Sequence, residues 1–94
     1  MRLLLAEDEK ELSRVLTAIL VRNNYSVDAV YDGEEALSYL NSSNYDGAIL
    51  DIMMPKMDGL SVLRQIRNQG NSIPILLLTA KSEIDDKVEG LDAG

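Results

Sequence analysis

Two side chains that carry much of protein chemistry are missing: the 94 residues contain no cysteine and no histidine. Without cysteine there is no disulfide framework, no thiolate nucleophile and no thiolate metal site; without histidine there is no imidazole base or ligand. Any chemistry must rest on carboxylates, hydroxyls and lysines. Basic residues are also scarce, 9 Lys and Arg against 16 Asp and Glu, for a net charge of -7. This balance repels phosphate backbones, argues against nucleic-acid binding by the chain itself, and favours a metal cation. No apolar run approaches the roughly 18 residues of a membrane span. The opening Met1-Arg2-Leu3-Leu4-Leu5-Ala6 meets Glu7 and Asp8 before it can act as a secretory signal. The expectation is a cytoplasmic chain without membrane contact.

What is present is a core-forming composition, 46% apolar and 27% charged, with room for one domain over residues 1–94. Apolar runs of strand length alternate with helical patterns, which argues for βα units and a parallel sheet. Leu3 to Ala6 is unbroken by polar residues, as suits a strand covered on both faces. From Lys10 the period becomes helical: Leu12, Val15, Leu16, Ile19 and Leu20 form the expected buried stripe, with Arg14, Thr17 and Arg22 facing water and an end near Asn23-Asn24.

A second strand, Ser26 to Val30, precedes Asp32-Gly33-Glu34-Glu35, where Asp32 can cap a helix and Glu35 can reach back to it. Ala36, Leu37 and Leu40 are its expected buried side. Gly47 to Leu50 is a third apolar strand, closed by Asp51. After the loop Ile52 to Gly59, a third helix places Leu60, Leu63 and Ile66 on one side and stops by Gly70. Pro74 opens a fourth strand, Ile75 to Leu78. Ser82 and Asp85 repeat the capping pattern ahead of a helix bearing Ile84, Val88 and Leu91.

In an open parallel sheet, ligands gather at the carboxyl ends of the strands. Those ends carry Glu7-Asp8, then Asp51, then Thr79-Ala80-Lys81. If the first and third strands are neighbours, Glu7, Asp8 and Asp51 converge and call for a cation. An all-oxygen donor set suits Mg²⁺, and zinc would lack its usual ligands. Asp51 can then act as a nucleophile toward a phosphoryl group, and Thr79 can donate its hydroxyl to a phosphoryl oxygen. Pro55 and Gly59 fix the loop path, so that the Met53 backbone carbonyl can face a metal beside Asp51. Taken singly, these residues have plainer readings: Asp8 as a helix N-cap, Glu7 as a solvated loop acid, Thr79 as strand-end polarity, Met54 and Met57 as core filler, Lys56 and Lys81 as surface charges. Asp51 resists such a reading, because an acid closing a buried strand must be paired or ligated.

Together, Glu7-Asp8, the run Asp51-Ile52-Met53-Met54-Pro55-Lys56-Met57-Asp58-Gly59, and Thr79-Ala80 resemble the receiver domains of two-component response regulators across the whole chain. The resemblance implies an α/β, flavodoxin-like (CheY-like) three-layer sandwich with sheet order 2-1-3-4-5. It further implies a phosphoacceptor switch rather than a turnover enzyme, with a histidine kinase or a small acyl phosphate as donor to Asp51. In such a domain Asp8, Asp51 and the Met53 carbonyl would ligate Mg²⁺, Glu7 would act mainly through water, and Thr79 would be the switch hydroxyl. The stretch from Lys81 to Gly94 looks most like regulators that carry a downstream winged-helix DNA-binding domain and control transcription.

Family members continue into a fifth strand, with a lysine and an aromatic switch residue, and a fifth helix. Four of the five βα units are present here, and Lys81 does not match the missing lysine by position. The expected consequences are an unpaired fourth strand and a wet face beside the first helix. At roughly 25 cal/mol per Å², a few hundred Å² of exposed apolar surface is comparable with the stability of a small domain. Instability, or a homodimer or segment-exchanged oligomer, is expected. Two rival functions are a non-phosphorylated interaction module and a Mg²⁺-dependent aspartyl phosphohydrolase. The latter is weakened because Met53 stands where such enzymes place an acid.

Overall fold

β1 (Arg2–Ala6), α1 (Lys10–Arg22), β2 (Ser26–Val30), α2 (Gly33–Ser42), β3 (Gly47–Asp51), α3 (Gly59–Asn68) and β4 (Ile75–Leu78) follow one another in the structure, a computed structural model. It describes residues 1–78. The strands form one parallel sheet in the order β2-β1-β3-β4. This matches the expected flavodoxin-like order as far as the described residues go. The expected helix after Ser82 lies outside them.

Side chains alternate across the sheet, and the alternation divides the interior in two. Leu4, Ala6, Ala48, Leu50, Ile75 and Leu77 point toward α2 and α3, where they join Ala36, Leu40, Val62 and Ile66 in the main core. Leu4, Leu50, Val62 and Ile66 are completely buried, each worth about 2 kcal/mol of transfer free energy. Leu3, Ile49 and Leu76 face the other way. With Met1 and Leu20 they line an open groove of about 400 Å³ beside α1. Leu76 is half exposed.

Helix starts follow local chemistry. Asp32 accepts the Glu35 N–H at 2.8 Å, and Asp58 accepts the Ser61 N–H at 2.7 Å. Glu35 does reach back, but to the Tyr31 N–H at 3.1 Å, one residue before the cap. α1 starts differently: its N-cap is Glu9, without a side-chain cap bond, so Asp8 is not the cap. Gly70 ends α3 in the left-handed region, with φ +82°, where glycine carries no steric penalty.

Two helical stripes differ from expectation. α1 turns so that Leu12, Ser13, Leu16, Thr17 and Leu20 approach the sheet, leaving Val15 and Ile19 about half exposed on the outer flank. Thr17 therefore does not face water; its Oγ1 is buried without a hydrogen-bond partner among the described residues. In α3 the buried line is Gly59, Val62 and Ile66, a spacing that turns Leu60 outward to 41% exposure. Neighbouring apolar residues at these positions compete for the same face, and sequence spacing alone does not select the winner.

The amino end of the sheet is tied by Arg2, Asp28 and Tyr45. Arg2 donates to Asp28 at 2.8 Å, Tyr45 donates its hydroxyl to the same carboxylate oxygen at 2.7 Å, and the guanidinium lies 4.8 Å from the Tyr45 ring centroid. Among the described residues no helix is long and apolar enough to cross a membrane.

Candidate metal centre

Because all four strands run the same way, their carboxyl ends share one rim. Ala6 pairs with Leu50 at the end of the central β1–β3 ladder, so the next residues, Glu7 and Asp51, emerge side by side. One carboxylate oxygen from each of Glu7, Asp8 and Asp51 lies within 4.8 Å of the other two. The structure thus brings together the three acids expected to converge.

Their environments differ. Glu7 is only 3% exposed and is no solvated loop acid; its carboxylate accepts the Glu9 N–H at 2.9 Å. Burial pushes its carboxyl up to about 7, with Asp51 and Asp8 adding repulsion and the Glu9 N–H opposing. Asp51 is half-buried and its Oδ1 accepts the Met53 N–H at 3.3 Å. Burial also raises the Asp51 carboxyl, against the Met53 N–H, and the Asp8 charge adds to the rise. Asp8 is exposed and borders an open cleft of about 560 Å³ with Met53, Met54, Asp58 and Leu60. None of the three acids is in an ion pair among the described residues. The donor set is all oxygen and its negative charge is uncompensated, which fits a hard divalent cation such as Mg²⁺.

The loop after Asp51 is tightly held. Gly59 donates its N–H to the Ile52 carbonyl at 2.8 Å, and a side chain on Gly59 would run into the Asp51 carbonyl group, 3.0 Å from its carbon. Met54 is buried and Met57 packs against the core, as core-filling methionines should. The Met53 side chain is 58% exposed. Lys56 is largely solvated, yet its Nζ lies 3.7 Å from Asp32 and its φ is +70°. Ile52 donates to the Leu78 carbonyl at 2.8 Å, and Asp51 pairs with Leu78 in register. Thr79 follows Leu78 in the chain; Thr79 and Lys81 lie outside the described residues.

Three features escaped sequence reasoning: the deep burial of Glu7, the Asp58 cap, and the contact of Gly33 with the loop. The signal for the last two is the Asp-Gly pair that stands at the head of both α2 and α3. A separate polar cleft of about 460 Å³ between Asn41 and Ile73 lies among the turns before β3 and β4 and contains none of the site acids.

Comparison with known proteins agrees with this geometry. The profile of the response regulator receiver domain matches residues 3–94. The chain is 50% identical to the transcriptional regulatory protein DltR of Streptococcus agalactiae and 51% identical to TctD of Salmonella typhimurium, in each case over its full 94 residues. It spans 42% of the length of each of these relatives. Among solved structures, the Francisella response regulator 1452 receiver domain is 34% identical with a TM-score of 0.87, over 99% of this chain and 77% of that one. TrrA from Thermotoga maritima, solved in complex with Mg²⁺ and BeF, is 42% identical with a TM-score of 0.81, over 86% of this chain and 70% of that one. The sheet order, the acid cluster at its carboxyl rim and these matches lead to one conclusion: the chain belongs to the receiver domains of two-component response regulators.

Proposed function

We propose that this receiver domain accepts a phosphoryl group on Asp51, with Mg²⁺ held at the acid cluster. The observation that carries the reading is the convergence of Glu7, Asp8 and Asp51 within 4.8 Å without an ion-pair partner among the described residues. Asp8, Asp51 and the Met53 carbonyl would hold the metal, with Glu7 acting through water. When bound, the cation supplies charge neutralisation between the carboxylates and an incoming phosphoryl group.

An Asp51 carboxylate oxygen forms the new O–P bond. The P–N bond of a phosphohistidine on a partner kinase breaks, or the P–O bond of a small acyl phosphate, and its electron pair leaves with the donor. The lack of any histidine in this chain agrees with a histidine donor supplied in trans. Thr79, which directly follows Leu78, would donate its hydroxyl to a phosphoryl oxygen and report the change. The domain assists its own phosphorylation and dephosphorylation without being a turnover enzyme. A phosphohydrolase of the aspartyl type needs an acid two residues beyond its nucleophile, and Met53 stands there. Because relatives such as DltR and TctD are transcriptional regulatory proteins, the output would be transcription, through a DNA-binding domain outside this chain.

The test is intact mass after incubation with Mg²⁺ and acetyl phosphate or phosphoramidate. The expected result is an acid-stable, base-labile gain of one phosphoryl group that Asp51→Asn abolishes. Equal labelling of the Asn variant would remove Asp51 from the mechanism. Beryllofluoride binding with Mg²⁺ tests the same pocket without transfer.

A further inference from the structure

Gly33 is the first residue of α2, buried, and not one of the clustered acids. Its N–H donates to the Pro55 carbonyl at 3.4 Å. A β carbon at Gly33 would overlap the Met57 carbonyl oxygen and lie 2.6 Å from the Met57 carbonyl carbon. Gly33 is not among the residues with positive φ, so space rather than backbone conformation excludes a side chain there. The backbone of the loop after Asp51 therefore rests directly on the head of α2.

The other side of this contact cannot easily yield. Asp32 fixes the start of α2 through the Glu35 N–H at 2.8 Å, and Ala36 and Leu40 lock the helix into the core. The loop is closed at its base by the bond from Gly59 to Ile52, and Ile52 is tied to Leu78. A methyl group on Gly33 would push the Pro55–Met57 segment off α2, and the closed loop would pass that displacement to Asp51, Ile52 and Met53.

We propose that Gly33 is a positioning residue for the metal pocket: by letting the loop backbone lie against α2, it sets the placement of the Asp51–Met53 segment. The proposal rests on the reading that Asp51 and its neighbours bind Mg²⁺. Gly33 touches neither metal nor phosphoryl group, and acts through the loop alone.

Mg²⁺ titration calorimetry on the protein, Gly33→Ala, Ile66→Val and Asp51→Asn tests this. Supporting residues around metal ligands typically change affinity by about tenfold or more, and Gly33→Ala is expected to raise the Mg²⁺ Kd by that amount. Ile66→Val removes core packing from α3, away from the contact, and is expected to lower urea stability while leaving the Kd unchanged, which separates positioning from general destabilisation. A folded Gly33→Ala with unaltered Kd overturns the proposal. Amide hydrogen exchange of the unaltered protein gives a second reading that needs no variant. Linkage is reciprocal, so Mg²⁺ is expected to slow exchange at Gly33 as well as at Met53. If Gly33→Ala does not fold, this decides: slowed exchange at Gly33 supports the proposal, and unchanged exchange overturns it. If Asp51→Asn binds Mg²⁺ as well as the unaltered protein does, the metal reading itself fails and the positioning role falls with it.

Discussion

Glu7 and Asp51 leave adjacent central strands side by side and hold carboxylate oxygens within 4.8 Å of one another, with Glu7 almost fully buried. Without a cation this is a repulsive arrangement. Asp51→Asn removes one charge and is expected to raise the melting temperature of the metal-free protein. A gain of about 1 kcal/mol corresponds to roughly 4–8 °C for a domain of this size. Saturating Mg²⁺ should erase that advantage. Thermal melts with chelator and with Mg²⁺ check it; a lower melting temperature for the Asn variant in chelator would contradict the repulsion.

The same burial gives the metal-free protein a pH dependence. The folded Glu7 carboxyl titrates at about 7, above its ordinary 4.5. Between those values the folded state binds more protons than the unfolded state, so stability from this group falls as pH rises. It is fully present below the ordinary value and lost as pH climbs through about 7. Urea denaturation in chelator should show this loss, and Glu7→Gln should remove it.

At the opposite end of the sheet, Tyr45→Phe is expected to cost about 1 kcal/mol by removing a hydrogen bond to a carboxylate. The Tyr45 hydroxyl and the Arg2 guanidinium hold Asp28 below its ordinary value. That contribution is present above the ordinary carboxylate range and is lost as pH falls through the depressed value. Burial, with Asp28 beside it, pushes Tyr45 up to about 12, so its contribution is lost as pH rises from 10 through 12. Chemical denaturation from acid to alkaline pH should show both limbs, with the alkaline one gone in the Phe variant.

The two helix caps offer a cleaner comparison. Asp32→Ala and Asp58→Ala should each cost about 1 kcal/mol in urea denaturation. Asp32→Asn keeps a capping side chain and loses only the charge facing Lys56; Asp32 is buried, but the Lys56 ammonium 3.7 Å away is largely solvated, so the pair is worth about 0–1 kcal/mol. It should be nearly neutral.

The half-exposed Leu76 and the apolar groove it shares with Leu3, Leu20 and Ile49 offer a surface for self-association of this chain. Sedimentation velocity should show mass increasing with concentration, and Leu76→Lys should suppress it. A chain that stays monomeric at high concentration would refute the expectation.

Much of this architecture was legible in the sequence, and the reasons are local. Leu3 to Ala6, Gly47 to Leu50 and Ile75 to Leu78 announce strands because an unbroken apolar run of that length suits a sheet covered on both faces. Asp32 announces a helix because the oxygen and the N–H it caps are three residues apart. The acid cluster was legible because parallel strands deliver their ends to one rim. What escaped depends on distant parts of the chain. Whether Thr17 or Val15 faces the sheet is a rotation of one helix against a sheet whose surface the helix does not encode. The burial of Glu7 depends on Val30, whose carbonyl takes the Glu7 N–H at 3.1 Å, and on neighbours separated by tens of residues. Gly33 meets Met57 only after two helices and a strand have packed.

β1 and β3 are each paired on both sides, whereas β2 and β4 each have one partner among the described residues. Partial opening of a protein begins where least is buried and spreads inward. Fraying of β2 or β4 leaves the β1–β3 ladder, and the acids at its end, in place. To scatter Glu7 and Asp51 the molecule must unzip its two central strands, which is close to unfolding it entirely. Among the described residues, the centre is thus anchored in the most durable part of the sheet, and the outer strands can loosen without disturbing it.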